Sequence, residues 1–262
     1  MNDKKEKKSA PVISAYIITR NEEENIGRAL ESIKWMDEII ILDSGSTDKT
    51  LEIAGKYGAK VYFSDFDGFA EQKNKAMGFC SGEWLFNIDA DEEVTESLRK
   101  SIEFIIFDKS ASEKTEMYKV CRKTFYLGKW IKHCGWYPEY RARLSKKGSA
   151  VWTGEILHEN LTCDGLTEIV SGDLLHRPYK NIAAHLKKID RYTGLWAERE
   201  SGKKRKPHLY DIVFRPVYKF FRMYVFKAGF LDGGPGIIVS FMGGIYTFLK
   251  YARLYEISRN NK

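Results

Sequence analysis

Apolar and polar positions follow one another in a regular order over residues 12–88. Three short, nearly continuous apolar runs predict buried strands, since strands of a parallel sheet are covered on both faces. These runs are Val12 to Thr19, Glu38 to Leu42 and Trp84 to Ile88, and a further strand is predicted over Lys60 to Ser64. Between them, helical spacing of apolar residues predicts helices over about Glu23 to Ile33, Lys49 to Tyr57 and Phe69 to Cys80. Asn21 or Glu22 can cap the first of these helices. Strand alternating with helix is typical of an α/β fold with a mostly parallel sheet.

The pattern changes in the second half of the chain. Strands are predicted over Glu116 to Arg122, Ala150 to Trp152 and the run that ends at His176, and helices over about Ile182 to Glu200 and Ile237 to Tyr255. We therefore expect a disordered, basic tail at 1–10, an α/β domain at 11–200 with halves at 11–110 and 111–200, and a helical extension at 201–262.

Polar side chains follow three of the predicted strands. They are Thr19 with Arg20, Asn21 and Glu22, then Asp43 with Ser44, and then Asp89 with Asp91. Ligands of open α/β sheets bind beyond the carboxyl ends of the strands, where these clusters converge. Hard divalent cations bind carboxylate oxygens together with substrate phosphates, so Asp89 and Asp91 predict a metal and diphosphate site. The alternative is that Asp91 to Glu93 only cap the helix through Lys100.

The loop after the first strand lacks the glycine motifs of common nucleotide-binding folds. Neither Gly-x-Gly-x-x-Gly nor Gly-x-x-x-x-Gly-Lys-Ser/Thr follows it, which argues against dinucleotide-binding and P-loop enzymes. Asp43 has two interpretations: it could cap the turn through Gly45, or accept hydrogen bonds from a base or ribose.

The composition of the chain limits the chemical class of its binding partner. The chain has 262 residues, 43% of them hydrophobic, which excludes global disorder, and a formal charge of +7, which suggests an anionic partner such as a nucleotide diphosphate, an anionic lipid or a nucleic acid. Four widely separated cysteines without a Cys-x-x-Cys pair, and no signal peptide, favour a cytoplasmic protein with reduced thiols. The apolar run Ile237 to Leu249 is too short to cross a bilayer.

Three motifs carry a family resemblance. The segments Ser14 to Glu23, Leu42 to Thr50 and Ile88 to Glu92 resemble the nucleotide-sugar half of the family 2 glycosyltransferases of GT-A fold, in the bacterial branch that includes the lipopolysaccharide core β-1,4-glucosyltransferases. The resemblance implies inverting transfer from a nucleotide diphosphate sugar with Mg²⁺ or Mn²⁺. It places a uridine-type base and ribose at the Thr19 to Glu22 segment and at Asp43, gives Asp89 a ribose or metal contact, and makes Asp91 the ligand of the metal that bridges the diphosphate.

Inverting transfer needs a general base for the acceptor hydroxyl. The resembling branch has a His-Glu pair at the position of His158 and Glu159, so we predict Glu159 as the base, with His158 orienting it or contacting phosphate. Because the family more often has Glu-Asp there, Glu155 remains a rival. The resemblance also favours His176 as a metal ligand or diphosphate contact, although a lone histidine at a strand end is often ordinary surface. Arg177 could neutralise the diphosphate.

Aromatic residues before the strand Tyr140 to Leu144 suggest an acceptor platform. Trp130, Trp136 and Tyr137 could stack on sugar faces, although core packing is equally compatible with each. In the strand itself, Arg141 and Arg143 lie on one side, where one of them could reach a phosphate or the acidic cluster.

The extension interleaves cations with aromatic rings. The basic loop Gly202 to Pro207 precedes a segment, Phe214 to Phe230, that suits an interfacial helix on anionic lipid; packing on the sheet is the alternative. We see no nucleic-acid-binding motif and expect no such partner. The sequence thus predicts a peripheral enzyme on the inner face of the cytoplasmic membrane, with a lipid-linked saccharide acceptor. A sugar nucleotidyltransferase and a non-catalytic membrane or nucleic-acid binding module are the rival hypotheses.

Overall fold

The computed structural model describes residues 12–108, 114–154, 159–203 and 205–260. The chain forms two compact units. Unit 1 comprises the described residues up to Arg122 together with Tyr140–His176, and unit 2 comprises Lys123–Glu139 and the described residues from Arg177 onward. The predicted boundaries near residues 110 and 200 separate regions of different expected function, and they stay predictions. The boundaries of the two compact units lie at other residues.

Unit 1 contains the predicted alternation of strands and helices. Its helices are α1 (Ile26–Ile33), α2 (Thr50–Lys56), α3 (Phe69–Gly78) and α4 (Glu96–Phe107). Its first strands are β1 (Ile13–Thr19), β2 (Glu38–Asp43), β3 (Lys60–Phe63), β4 (Trp84–Asn87) and β5 (Glu92–Val94). Strand β6 (Thr115–Tyr126) begins in unit 1 and ends in unit 2, which also holds β7 (Lys129–Trp130). Unit 1 continues with β8 (Glu139–Lys146), β9 (Ala150–Thr153), β10 (Asn160–Cys163) and β11 (Leu166–His176).

The main sheet has the strand order β3-β2-β1-β4-β8-β6-β11-β5, and β9 pairs with β10 in a separate antiparallel ribbon. Pairing is parallel among β3, β2, β1 and β4, whereas β4 pairs with β8, and β11 with β5, in the antiparallel sense. The α/β fold class is thus confirmed. Its parallel part is limited to four strands because only these are joined by crossover helices.

Helices cover both faces of the parallel strands. Side chains alternate along each strand, so Ile17 and Ile41 pack with Leu30 of α1 on one face. Tyr16 and Ile40 pack on the other face, in the cluster that includes Ala70 and Ala76 of α3. Thr19 and Asp43 are register partners at the carboxyl end of the sheet and continue the face that α1 covers.

Two helix starts differ from the sequence prediction. Helix α1 begins at Ile26, and neither Asn21 nor Glu22 caps it, since both lie in the loop that precedes this helix. Helix α4 begins at Glu96, where the Thr95 hydroxyl caps the Leu98 amide at 3.3 Å. Residues Glu92–Val94 instead form β5, so the interpretation of Asp91 to Glu93 as mere helix caps is wrong.

Unit 2 is mainly helical beyond residue 181. It contains α5 (Ile182–Gly202), α6 (Leu209–Phe221) with a π-helical turn at Arg222–Phe226, a 3₁₀ turn at Gly229–Asp232, and α7 (Gly234–Asn260). Helix α6 approaches α7 closely at Gly244, where an added Cβ would lie 3.3 Å from the Pro216 carbonyl oxygen. Within the described ranges, none of the helices combines the length and the apolar character that crossing a bilayer requires.

Candidate active site

The loops after β1 and β2 are joined by hydrogen bonds. The Asn21 amide donates to Ser46 Oγ at 2.9 Å, and Asn21 Oδ1 accepts from the Thr47 amide at 2.8 Å. Asn21 has a φ of 55°, a left-handed conformation that asparagine tolerates better than most residues. The Glu22 amide donates to Thr50 Oγ1 at 2.8 Å. The loops that carry the first two predicted polar clusters are therefore joined into one hydrogen-bonded unit.

Asp43 organises its own loop in this arrangement. It is fully buried, and its Oδ2 accepts from the amides of Gly45 and Ser46, each at 2.8 Å, while the Ser46 hydroxyl donates to Oδ1. The turn-capping interpretation of Asp43 is thus realised in the structure. Its predicted contact with a base or ribose stays a prediction, and Ser44 beside it is partly exposed.

The hydroxyl of Thr19 lacks a hydrogen-bond partner among the residues that the structure describes. Thr19 Oγ1 is buried at the end of β1 and has no hydrogen-bond partner within the described residues. Buried hydroxyls are usually paired, so such an atom at a ligand-binding edge is compatible with a ligand contact. Arg20 and Asn21 next to it are exposed.

The acidic turn after β4 is held by two cations. Asp89 Oδ1 lies 3.1 Å from Lys73 Nζ of α3, and its Oδ2 lies 2.7 Å from Arg143 Nη2 of β8. The Asp89 side chain is 30% exposed, while those of Lys73 and Arg143 are almost completely buried. Burial by itself raises the pKa of Asp89, but the charges of Arg143 and Lys73 outweigh burial and hold this pKa well below its usual value. Asp89 is therefore a fixed carboxylate at neutral pH.

Arg143 also joins Asp89 to a second buried acid. Its Nη2 lies 2.6 Å from Glu92 Oε1, and its Nη1 donates to Asn87 Oδ1. Arg122 approaches the same Glu92 oxygen at 3.5 Å. The expectation that an arginine of β8 reaches the acidic cluster is thus met by Arg143.

The predicted general base, Glu159, contacts the same lysine as Asp89. Glu159 Oε1 accepts a hydrogen bond from Lys73 Nζ at 3.4 Å, and the Glu159 side chain is 25% exposed. Lys73 Nζ also lies 4.4 Å above the Trp152 ring. Glu155 and His158 lie outside the described residues.

Asp91 and His176 form the pair that could hold a metal ion. His176 ends β11, opposite Glu92 of β5, and its Nε2 lies 3.5 Å from Asp91 Oδ2. In the described part of the chain, no three histidine, cysteine or acidic side chains group closely enough to hold a metal on their own. Mg²⁺ in particular is often bound by one or two carboxylates plus substrate phosphates, so the pair fits a metal completed by a diphosphate. Asp89 fits that role less well because both of its oxygens are bound to cations.

The predicted acceptor residues all belong to unit 2. Trp130 packs edge-on to Phe125, and the Arg177 guanidinium stacks over both rings, at 4.5 Å from Phe125 and 4.9 Å from Trp130. Trp136 packs beside Tyr126, and Tyr137 has Lys123 Nζ 5.8 Å above its ring. Ring packing thus engages Trp130 and Trp136, and both remain partly exposed. The roles of these rings in acceptor binding, and of Arg177 in diphosphate binding, stay predictions.

Sequence reasoning did not single out Lys73. A lysine inside an amphipathic helix usually points to solvent, so nothing in its immediate sequence marks it as buried. The available signal was electrostatic: a cluster of four carboxylates in five residues requires nearby cations, and Arg141 and Arg143 were the two candidates that the sequence suggested.

Comparison with known proteins gives concordant matches. The family described as Glycosyl transferase family 2 matches residues 14–160. The lipopolysaccharide core biosynthesis glycosyltransferase LpsC of Rhizobium meliloti is 30% identical over 256 residues, which cover 93% of this chain and 92% of that protein. An uncharacterized glycosyltransferase of Rickettsia bellii is 31% identical over 261 residues, or 94% of this chain and 87% of its own length.

A solved structure gives a weaker, partial match. It is the glucosyl-3-phosphoglycerate synthase of Mycobacterium tuberculosis in complex with Mn²⁺, uridine diphosphate and glucosyl-3-phosphoglycerate, with a TM-score of 0.36 and 24% identity. The match covers 43% of this chain and 44% of that one, so it concerns less than half of either protein.

Proposed function

The chain belongs to family 2 of the glycosyl transferases, and from this premise we propose that it moves a sugar from a nucleotide diphosphate to a saccharide hydroxyl with inversion. We propose a uridine diphosphate sugar as the donor, and a lipid-linked saccharide of the lipopolysaccharide core or another cell-envelope glycan as the acceptor. The observation that carries the proposal is the ion network of unit 1. In it, Lys73 contacts both the strand-end acid Asp89 and the predicted base Glu159.

The donor side of the site is built from fixed carboxylates and strand-end loops. Since Arg143 and Lys73 keep Asp89 ionised, this side chain only accepts hydrogen bonds and suits the ribose hydroxyls. The Thr19 hydroxyl, which has no hydrogen-bond partner among the described residues, and the loop around Asp43 and Ser44 lie at the ends of β1 and β2. We propose that the nucleotide base of the donor binds there.

Asp91 and His176 would hold the metal ion, with the donor diphosphate supplying further oxygen ligands. When bound, Mg²⁺ or Mn²⁺ stabilises the negative charge that develops on the leaving diphosphate. Asp91 offers the hard oxygen ligand that both cations prefer.

Glu159 accepts the proton of the acceptor hydroxyl. A partly exposed carboxylate is reachable by an acceptor, and its contact with the Lys73 ammonium holds it in place for that role. The hydroxyl oxygen attacks the anomeric carbon as its proton moves to Glu159, and the bond from that carbon to the diphosphate breaks. Stacking of the acceptor sugar on Trp130, Trp136 and Tyr137 of unit 2 stays a separate prediction.

Unit 2 carries a surface that suits a membrane interface. One side of α6 exposes a stripe of large apolar residues, which are between 47% and 76% exposed: Leu209, Tyr210, Val213, Phe214, Val217, Tyr218 and Phe221. We call these seven residues the α6 stripe. Its members recur at helical spacing, so they form one face, and an exposed apolar face of this size is rare unless it meets a partner.

The net charge of unit 2 supports an anionic interface. This unit has 21 lysines and arginines against 7 aspartates and glutamates, a net charge of +14, whereas unit 1 has 22 against 29, a net charge of −7. Exposed rings together with cations match the boundary of an anionic bilayer, in which rings enter the headgroup region and cations meet lipid phosphates. We therefore place the protein on the inner face of the cytoplasmic membrane.

Product analysis tests the proposed reaction. Nucleotide sugars are screened with Mn²⁺, each with and without lipid-linked saccharide extracts, and the released nucleotide is identified. We expect a nucleoside diphosphate and a lengthened saccharide whose new linkage is inverted relative to the donor. Release of pyrophosphate from a nucleoside triphosphate, without sugar transfer, would instead support a nucleotidyltransferase and refute the proposal.

A further inference from the structure

Lys73 is buried although it carries a charge. Its side chain is only 3% exposed, and moving an ammonium group out of water is costly unless other charges compensate. Two carboxylates and one aromatic face compensate here: Asp89 Oδ1 at 3.1 Å, Glu159 Oε1 at 3.4 Å and the Trp152 ring at 4.4 Å. One ammonium group therefore joins two acids that are 70 residues apart in sequence.

The two acids are held differently. Asp89 is also bound on its other oxygen by Arg143 at 2.7 Å, so its position is set independently of Lys73. Glu159 lies immediately before β10 and receives its hydrogen bond from Lys73. In this bridge Asp89 is the anchored end, and Glu159 is the end whose position depends on the lysine.

Helix α3 is itself fixed to the ribbon that carries Glu159. Asn74 Nδ2 donates to the Trp152 carbonyl at 2.8 Å, and Asn74 Oδ1 accepts from the Trp152 amide at 2.9 Å. Trp152 Nε1 in turn donates to the Tyr16 hydroxyl at 2.8 Å. Lys73 therefore projects from a helix that is bonded to β9, the partner strand of β10, and its ammonium group has little freedom to move.

We propose that Lys73 is a positioning residue, which fixes the Glu159 carboxylate at a set place relative to the donor side of the site by bridging it to Asp89. The inference rests on the proposed function, in which Glu159 is the base. A base must lie within hydrogen-bond reach of the hydroxyl that attacks, and small displacements of reacting groups can cost about a hundredfold in rate. A lysine that only balanced buried charge would affect folding but would not act through Glu159.

A double-mutant cycle separates these two roles. Lys73→Met is made in the wild-type chain and in Glu159→Gln, and kcat, the donor KM and the melting temperature are measured for all four proteins. We expect Lys73→Met alone to lower kcat about 10–100-fold, with a donor KM within about threefold of wild type. In the Glu159→Gln background it should lower kcat by no more than about twofold, because the group it positions is already lost.

Two further variants complete the experiment. Lys73→Arg, which can also bond both carboxylates, should restore most of the lost kcat. Lys75→Met, two residues along α3, removes an exposed lysine that pairs with Asp67 and should leave kcat unchanged. Should Lys73→Met fail to fold, Lys73→Gln, which keeps a hydrogen-bond donor, replaces it in the same cycle.

The outcomes distinguish this inference from the proposed function. If Lys73→Met lowers kcat by the same factor in both backgrounds, Lys73 acts independently of Glu159; the positioning role is then refuted, while Glu159 can still be the base. If Glu159→Gln alone keeps the wild-type kcat, Glu159 is not the base, and both the proposed mechanism and the role of Lys73 fail.

Discussion

The two units of this protein differ in net charge and in how much apolar surface they expose. Unit 1 is acidic, and it buries Lys73 and Arg143 in pairs with acids at the end of its parallel strands. Unit 2 is strongly basic and leaves the seven large apolar residues of the α6 stripe exposed. Buried, paired charges fix the positions of reactive groups, whereas exposed rings and cations favour contact with an extended anionic surface. This difference supports the proposal that chemistry resides in unit 1 and membrane attachment in unit 2.

The strongest test of this division removes the base. Glu159→Gln should lower kcat by about 10²–10⁴-fold, since general-base catalysis contributes about that much, while binding to anionic vesicles stays at the wild-type level. Steady-state kinetics and vesicle sedimentation measure the two effects. Glu52→Gln, which removes an exposed acid paired with Lys56, serves as the control and should change neither. A loss of vesicle binding in Glu159→Gln would break the proposed separation.

The buried network of unit 1 should also dominate stability. Arg143→Met leaves Asp89 and Glu92 without their shared cation, so we expect the free energy of unfolding to fall by about 3–5 kcal/mol. Urea denaturation measures it against Lys100→Met, which breaks an exposed pair with Glu96 and should cost less than about 0.5 kcal/mol. Equal effects of the two substitutions would show that the network contributes no special stability.

A fall in pH should lower the stability of the two units in different pH ranges. In unit 2, burial and the charge of Lys188 lower the pKa of His185 to about 4. The folded state favours the neutral form of His185. The contribution of His185 to the free energy of unfolding is therefore complete above about pH 6.5 and is lost as the pH falls toward 4. In unit 1, burial raises the pKa of Glu38, but hydrogen bonds from Lys60, Ser14 and Ser81 outweigh burial and lower this pKa to about 2. Its contribution is therefore complete above about pH 4.5 and is lost as the pH falls toward 2.

Substitution of each group tests these ranges. His185→Phe should remove up to about 3 kcal/mol of pH-dependent unfolding free energy between pH 6.5 and 4 and leave the range below pH 4 unaffected. Glu38→Gln should flatten the curve only below about pH 4.5. Identical curves for His185→Phe and wild type between pH 6.5 and 4 would contradict the assignment.

The smallest expected effect concerns the α6 stripe. Phe214→Ser should weaken binding to anionic vesicles about tenfold, since an inserted aromatic side chain contributes about 1.5 kcal/mol or more, and kcat on a soluble acceptor should stay unchanged. Phe104 of unit 1 is similarly exposed, so Phe104→Ser is a matched control that should not affect vesicle binding. Equal losses in the two variants would show that the stripe has no special role at the membrane.

The sequence was sufficient to predict the alternating strands and helices of unit 1, because buried parallel strands and amphipathic helices have distinct apolar spacing. It also predicted the contact of a β8 arginine with the acidic cluster. The start of α1 at Ile26 could not be predicted from capping rules, because the Asn21 side chain bonds to the neighbouring loop at Thr47 instead. Such a tertiary contact competes with local capping and leaves no local signal.

The candidate site was predicted less completely than the fold. Parallel topology was sufficient to predict that the polar clusters converge at one sheet edge. It did not predict which of these side chains contact one another. Asn21 and Asp43 lie in one hydrogen-bonded pair of loops, whereas Asp89 and Glu159 meet through Lys73 of α3, the helix that covers the opposite face from α1. Burial of a lysine depends on partners that are distant in sequence, so spacing along α3 could not indicate it.

The proposed reaction requires that the strand-end acids of unit 1 bind a nucleotide diphosphate through a divalent cation. Calorimetric titration of uridine diphosphate into wild type and Asp91→Asn, with and without Mn²⁺, measures this binding. We predict tight binding to wild type only when Mn²⁺ is present, and equally weak binding to Asp91→Asn under both conditions. Binding to Asp91→Asn that is as strong and as Mn²⁺-dependent as in wild type would show that Asp91 does not hold the metal ion.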